Sequence, residues 1–270
     1  MPGVGGDGSR GGAGLVAAVG RAVFELAAYN GALLRFTGRA LRTLRRGVPA
    51  RELVAQVLEI GARSLPLTAI SAFAIGLVMA LQSLTLLKKF GVVQYAAVGV
   101  GLGVTRELGP VVTALMVAGR AGSGITAEIG SMKVTRQIDA LRLLAVDPYR
   151  FLAATRIVAC LIAMPLLTAI SDLLGIIGGA IITTVVGGVP LGAYVDTTLY
   201  YITLADVFTG LGKTTLFGVI IGAVASWNGF RTEGGTTGVG QATTQTVVQA
   251  SLMIFVSDVF LTQLLVSIGW

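Results

Sequence analysis

The chain has 270 residues, of which 54% are hydrophobic and 12% are charged, and its mean hydropathy is +0.84. A soluble domain carries about 25% charged residues, so the composition excludes that class and indicates an integral membrane protein. The net charge is +7. The lack of histidine and the single cysteine, Cys160, exclude histidine acid–base catalysis, His or Cys metal clusters and an intrachain disulfide.

The N-terminal part of the chain is Gly-rich and then basic. Residues 1–14 predict a disordered tail without the pattern of a signal peptide. Residues 15–63 predict interfacial amphipathic helices, because basic residues recur among apolar ones up to Gly47 and a polar stripe follows Pro49. For the helix after Pro49, a helix that merely covers the protein from solvent is the alternative.

The rest of the chain, residues 64–270, predicts one transmembrane domain. The sequence predicts an all-α integral membrane protein with an N-terminal interfacial amphipathic helix, about five transmembrane helices and a short cytoplasmic helix. The segments that are long and apolar enough to cross a bilayer are 64–87, 108–127, 157–195, 207–230 and 246–268.

Two connections between these segments, and one unusually long segment, have their own predictions. The Gly- and Val-rich stretch 91–105 predicts a short outer helix or a re-entrant piece, and 231–244 predicts a Gly/Thr-rich connection. Segment 157–195 would measure roughly 58 Å as a helix, against a hydrocarbon core of about 30 Å. One span with an outer extension is the favoured interpretation, and a hairpin turning near 187–190 is the alternative.

The basic segments place the N-terminus in the cytoplasm and the C-terminus outside.

The most polar run between apolar segments is 119–148. Apolar residues at helical spacing, Ile138, Leu141, Leu144 and Ala145, predict an amphipathic helix over 128–145 on the cytoplasmic side. Such a helix offers a surface to a soluble partner. A solvated loop helix that only follows the positive-inside rule is the alternative.

One apparent nucleotide motif is rejected. Gly212-Lys213-Thr214 looks like a phosphate loop, but the position that requires the first glycine of that motif is Val207. The sequence therefore predicts that this chain has no ATP site of its own.

Charged residues at membrane depth are the other candidates. Arg106 and Glu107 are neighbours, which do not face each other in a helix and so cannot neutralise each other. They mark either a helix start near Pro110 or a polar collar around a cavity for the head group of an amphiphile. Asp172 and Asp258 are further functional candidates, because an ionisable group inside a span is costly.

Several blocks of this sequence resemble the MlaE (YrbE) permeases. The blocks are 105–115, which begins Thr-Arg-Glu-Leu-Gly-Pro, together with 118–123, 127–141, 146–148, 240–251 and 258–262. Phe73, Gly76, Val78 and Gln82 resemble the first-span pattern of that family. The resemblance covers roughly residues 50–270.

The resemblance implies the permease subunit of an ABC transporter that moves phospholipid in the bacterial envelope. It implies a pair of permeases in the inner membrane, a homodimer, seated on two copies of a cytoplasmic ATPase, with an MCE-domain protein on the outer side. No cofactor, metal or nucleic acid is implied. The implied lipid-cavity residues are Phe73, Leu77, Val78, Leu81, Gln82, Arg106 and Glu107. The implied ATPase-coupling residues are Glu128, Gly130, Met132, Lys133, Arg136, Gln137 and Asp139.

Two other classes of function stay open at this point. A passive channel or secondary transporter without an ATPase would need an ion or proton pathway, for which Asp172, Asp206 and Asp258 are the only acids. A membrane enzyme of lipid metabolism would have neither histidine nor clustered carboxylates to work with.

Overall fold

The computed structural model describes residues 28–47 and 49–267, and every regular element among them is helical. Five of the described helices are long and apolar enough to cross a membrane, which confirms the predicted fold class and number of spans. Predictions for residues 1–27 lie outside the described residues. The helices are α1 (28–43), α2 (Ala50–Leu87), α3 (Val93–Val134), α4 (Gln137–Leu143), α5 (Tyr149–Val185), α6 (Leu191–Tyr201), α7 (Leu204–Phe230) and α8 (Gly235–Ser267).

Helix α2 joins what the sequence divided into an interfacial helix and a span. The helix passes through Ser64 without a break and accommodates Pro66 in its interior. Its buried positions recur every four residues and form one narrow face, so the same face packs against the protein over most of the helix. Those positions are Ile60, Ser64, Thr68, Ala72, Gly76, Ala80 and Leu84.

Helix α3 also corrects the prediction of an outer piece followed by a separate span. The chain stays helical from Val93 to Val134 and widens twice into π-helical turns, at Val104–Leu108 and Ala118–Gly122. Pro110, which has no backbone N–H, follows the first wide turn, and that turn accommodates the proline without ending the helix.

Two further boundaries differ from the prediction. The outer extension of the third span is a separate helix, α6, because the chain turns after Val185 through Gly187, Gly188 and Pro190. Helix α8 begins at Gly235, well before the predicted 246, so the connection that precedes it is short. Hydropathy missed this start because the first turns of α8 are rich in Thr and Gln, some of which hydrogen-bond within the protein, as Thr246 does with Asn228.

Small residues set the distances between the spans. A Cβ atom added at Gly76 of α2 would collide with the carbonyl oxygen of Gly175 on α5, and one added at Gly218 of α7 would meet the carbonyl oxygen of Cys160 on α5. Close backbone approach of this kind is typical of membrane helix packing. The inner helices are α3, α5 and α7, whereas only 22% of the apolar window of α2 and 11% of that of α8 are buried. Helices α2 and α8 therefore present most of their surface to the surroundings of the subunit.

Candidate functional site

Helices α3, α7 and α8 meet at a lysine inside the membrane domain. The Lys213 side chain is 1% exposed, and its Nζ lies 2.9 Å from a carboxylate oxygen of Glu107. Nζ also donates hydrogen bonds to Thr262 Oγ1 at 2.7 Å and to the carbonyl oxygen of Arg106 at 3.1 Å. All three ammonium hydrogens therefore have acceptors. Asp258 lies 3.2 Å away as an ion pair but makes no hydrogen bond through Oδ1 among the described residues.

Arg106 has its own acidic partner at the start of α7. Its guanidinium forms an ion pair with Asp206, whose side chain is 2% exposed. The second carboxylate oxygen of Asp206 accepts hydrogen bonds of 2.7 Å from the backbone N–H and the hydroxyl of Thr203. Thr203 and Asp206 form a capping box, so the end of α7 fixes the acid that holds Arg106.

These contacts form one cluster, which we call the Lys213 cluster: Arg106, Glu107, Asp206, Lys213 and Asp258. The side chains of Arg106 and Glu107 are each 42% exposed, whereas their partners Asp206 and Lys213 are buried. The two exposed groups are therefore held from behind and present one positive and one negative charge. Arg106 and Glu107 do not neutralise each other, as the sequence predicted, and each is paired instead with α7.

The first-span candidates point in different directions. Phe73 packs against α5, where a Cβ added at Gly178 would lie 3.3 Å from its ring. Val78 is 51% exposed and Leu81 is 42% exposed. Leu81 and Gln82 line a groove near the C-terminal end of α2, and Leu77 is half-buried. Among the described residues, the ion pairs and hydrogen bonds of Arg106 and Glu107 go to α7 and α8, not to these residues.

The predicted cytoplasmic helix is two pieces joined by a sharp turn. Glu128, Gly130, Met132 and Lys133 belong to the last turns of α3, and α4 starts only at Gln137. Arg136 between them has a left-handed backbone, with φ at 59°. The single helix predicted over 128–145 is therefore wrong in its bounds. The polar character of the run did not reveal that the preceding span continues into it. We call residues 128–145 the coupling segment, after the role that the family resemblance implies for them.

Glu128 and Gly130 contact the rest of the subunit. Glu128 forms an ion pair of 2.6 Å with Arg156 of α5, whose side chain is 1% exposed. Gly130 is buried, and a Cβ there would lie 2.8 Å from the hydroxyl of Thr232. These two residues anchor the segment to α5 and to the turn that follows α7. Arg136, Gln137 and Asp139 are exposed, and Met132 and Lys133 are half-buried.

The apolar stripe of the coupling segment is only partly buried. Ile138 is 1% exposed and packs in the core with Leu141 beside it. Leu143 is 89% exposed and Leu144 is 73% exposed, because α4 ends at Leu143 and Ala145 turns the chain with φ at 57°. The end of α4 therefore carries two large apolar side chains that the subunit itself does not cover.

Asp172 stands apart from the Lys213 cluster. Asp172 of α5 is 6% exposed, and neither carboxylate oxygen has a hydrogen-bond partner among the described residues. A Cβ added at Gly109 of α3 would collide with this carboxylate, so Asp172 lies against the turn that follows Arg106 and Glu107.

The sequence identified the candidate site residues, but it did not identify most of the side chains that they contact. In the sequence, Lys213 stands out only as part of a false phosphate loop. The sequence assigns no partner to Asp206 or Asp258 and does not single out Arg156. One signal was available: a basic residue inside an apolar span needs an acid at the same depth. Which acid it contacts depends on the packing of α3, α7 and α8.

The chain is similar to known proteins over most of its length. The family Permease MlaE matches residues 53–264. A probable ABC transporter permease protein of Rickettsia typhi is 43% identical over 210 residues, which cover 78% of this chain and 81% of the relative. The intermembrane phospholipid transport system permease protein MlaE of Haemophilus influenzae is 38% identical over 218 residues, which cover 80% and 84% of the two chains.

Proposed function

We infer that this chain, which belongs to the MlaE permease family, is the permease subunit of an ATP-binding-cassette lipid transporter. It is a multi-pass membrane protein and the transport component of that system. Phospholipid is the substrate class that the Haemophilus relative names. The observation that carries the inference within the fold is the pair of half-exposed charges, Arg106 and Glu107, fixed by buried partners inside a membrane domain.

The Lys213 cluster suits a phospholipid head group. A zwitterionic head group carries a negative phosphate and a positive amine. Arg106 offers a positive charge to the phosphate, and Glu107 offers a negative charge to the amine. Because Asp206 and Lys213 hold these two side chains, little side-chain freedom is lost when a head group binds. We propose that Arg106 and Glu107 contact the head group and that the exposed side of α2, with Val78, Leu81 and Gln82, lines the path of the acyl chains. Phe73 and Leu77 support that wall from the side of α5.

A lipid needs such a path because exposing each CH₂ group to water costs about 0.8 kcal/mol. Helices α2 and α8 are the least covered by the rest of the subunit. We propose that a second copy of the chain packs nearby, so that two permeases enclose a cavity between them. An MCE-domain protein on the outer side then receives or delivers the lipid.

The energy comes from a partner in this proposal. We propose that two copies of a cytoplasmic ATPase bind the coupling segment through Leu143, Leu144 and the exposed polar residues Arg136, Gln137 and Asp139. Movement of the ATPases passes to α5 through the Glu128–Arg156 ion pair and to α7 through the contact of Gly130 with Thr232. This places the transporter in the inner membrane with the coupling segment and the N-terminus in the cytoplasm and the C-terminus outside.

The passive-transporter alternative loses its proposed pathway. It required Asp172, Asp206 and Asp258 to pass ions or protons, but Asp206 is tied to Arg106 and Asp258 lies in an ion pair with Lys213. Asp172 alone is left without an assigned partner among the described residues.

Purification in mild detergent from native membranes tests this function, with mass spectrometry of co-eluting proteins and lipids. Co-elution of a P-loop ATPase, an MCE-domain protein and phospholipid is the expected result. A single chain that carries no ATPase even after gentle crosslinking would contradict the proposal, and transport that collapses with ionophores rather than with loss of ATP would point to the passive class.

A further inference from the structure

Helix α1 lies against an aromatic wall at the C-terminal end of α7, whereas Asp206 and Lys213 of the Lys213 cluster lie nearer the N-terminal end of that helix. Phe36 is 6% exposed, and its ring centroid lies 5.3 Å from that of Trp227, 5.5 Å from Tyr149 and 5.6 Å from Phe230. Tyr149 and Phe230 stack with an interplanar angle of 10°. The wall joins α1 to the start of α5 and the end of α7.

Arginines cover this wall. The guanidinium carbon of Arg39 lies 4.7 Å from the ring centroid of Tyr149, and that of Arg231 lies 5.0 Å from the ring of Trp227. Arg35, one helical turn before Arg39, faces the same hollow, which has a volume of about 340 Å³ and is lined by Ala32, Arg35, Phe36, Arg39, Tyr149 and Trp227. A guanidinium stacked on a ring keeps its N–H edges free for an oxyanion.

The charges of these arginines are not neutralised by the part of the protein that the structure describes. No ion pair among residues 28–47 and 49–267 includes Arg35, Arg39 or Arg231. Residues 28–47 of the chain contain no Asp or Glu. The site therefore combines a positive rim with an apolar, aromatic floor.

We propose that this hollow binds the phosphate of an anionic phospholipid of the cytoplasmic leaflet, between α1 and the Tyr149–Trp227 wall. Arg35 and Arg39 hold the phosphate by charge-assisted hydrogen bonds, and the rings of Phe36, Tyr149 and Trp227 contact the glycerol and the first methylenes. The site is separate from the transported lipid. Its place on the cytoplasmic side rests on the proposed topology, but binding itself does not depend on that topology.

An aromatic floor favours a lipid over a small soluble anion, and tryptophan and tyrosine are common where a membrane meets water. Bound lipid would also tie α1 to Tyr149, the residue after Pro148 and the first of α5. Tyr149 follows the coupling segment closely in the chain, so the lipid would stiffen the base from which that segment projects.

The test uses the full chain, purified in a neutral detergent, with Trp270→Phe so that Trp227 is the only tryptophan. Phosphatidylglycerol with brominated acyl chains is titrated, and quenching of the Trp227 fluorescence gives the apparent Kd. Two further titrations are made. In one, brominated phosphatidylcholine replaces phosphatidylglycerol, and in the other, soluble glycerol phosphate competes with phosphatidylglycerol. The test variant is R35Q/R39Q, and the matched control is R42Q/R45Q, which removes the same charge from exposed residues of the same segment that do not line the hollow.

We expect saturable quenching by phosphatidylglycerol, weaker quenching by phosphatidylcholine and little competition by glycerol phosphate. R35Q/R39Q should weaken phosphatidylglycerol binding by roughly tenfold or more, because each arginine near an anionic head group contributes separately, and R42Q/R45Q should change it by less than about threefold. Equal weakening by both variants would overturn the site in favour of general attraction of a basic helix.

Two other results would overturn it in different ways. Full competition by glycerol phosphate would mean a site for a free phosphate rather than a lipid. Unchanged lipid binding in R35Q/R39Q would mean that Arg35 and Arg39 do not hold the lipid, so that this hollow is not its site. Because the readout is binding to the purified chain, none of these results depends on whether the chain transports phospholipid.

Discussion

The Lys213 cluster and the coupling segment contain the same kinds of residues in opposite surroundings. In the cluster, Lys213 and Asp206 are buried and paired; the capping box hydrogen-bonds the second carboxylate oxygen of Asp206, and Thr262 accepts a hydrogen bond from Lys213. In the coupling segment, Arg136 and Gln137 are exposed, and the Arg142–Asp139 pair is about half exposed on both sides. A charge at membrane depth needs a fixed partner because water is absent there, whereas a charge on the coupling segment can stay free for another protein.

The largest effect should come from removing the buried cation. Lys213→Met removes the cation that pairs with both Glu107 and Asp258. We expect a loss of roughly 3–5 kcal/mol in the free energy of unfolding. The measurement is the thermal transition of the detergent-purified protein. In the triple variant K213M/E107Q/D258N much of this stability should return, since no charge is left unpaired, while transport stays lost. A Lys213→Met protein as stable as the parent would mean that the lysine is not buried as described.

The next effect separates binding from stability within the same cluster. Glu107→Gln keeps the shape of the side chain and leaves Lys213 paired with Asp258, so the protein should fold. Loss of the charge that we propose to face the head group should lower phospholipid transport by about tenfold to a hundredfold, the size of one hydrogen bond to a charged group. The measurement is transfer of labelled phospholipid in proteoliposomes that contain the whole transporter. Wild-type transport by Glu107→Gln would remove Glu107 from the lipid site.

On the coupling segment, reversing charge should affect the partner and not the fold. K133E/R136E should weaken association with the proposed ATPase partner by on the order of tenfold, because Arg136 is exposed, Lys133 is half-buried, and surface charges set complementarity with a partner. The thermal transition should stay close to that of the parent. Quantitative co-purification with the ATPase measures the effect. Lys89→Glu, which changes an exposed residue just after the end of α2, serves as the control. If K133E/R136E kept both ATPase binding and transport, the coupling role of the segment would be lost.

The smallest effect should come from the exposed pair of α4. Arg142 and Asp139 lie 2.8 Å apart with side chains 51% and 50% exposed. Arg142→Ala should change the free energy of unfolding by less than about 1 kcal/mol, because exposed pairs contribute little. A loss as large as that of Lys213→Met would erase the contrast between the two regions.

Composition and local pattern were enough for the class of the protein and for most of its elements. Long uncharged runs predict spans because the bilayer excludes unpaired charge, and the five predicted spans are confirmed. The blocks that resemble the MlaE permeases were also visible without a structure, and the family match confirms them. The positions of Arg106 and Glu107 and of the coupling segment along the chain followed from the same blocks.

Boundaries and partners needed the tertiary structure. Helices α2 and α3 continue through Ser64 and through residues 104–108, because neighbouring helices support turns that hydropathy alone treats as ends. The polar start of α8 is helical where Thr246 and Gln249 can bond to Asn228. Local sequence carries no record of these contacts, since their partners lie on other helices.

The sequence by itself determined that this chain is an all-helical membrane permease with charged residues at a few fixed depths. Only the tertiary structure decided that Arg106 is paired with Asp206, that Glu107 is paired with Lys213, and that Glu128 anchors to Arg156. The physical reason is that an ion pair depends on distance in space. The partners here are separated by 100, 106 and 28 positions along the chain, and the packing of separate helices brings them together.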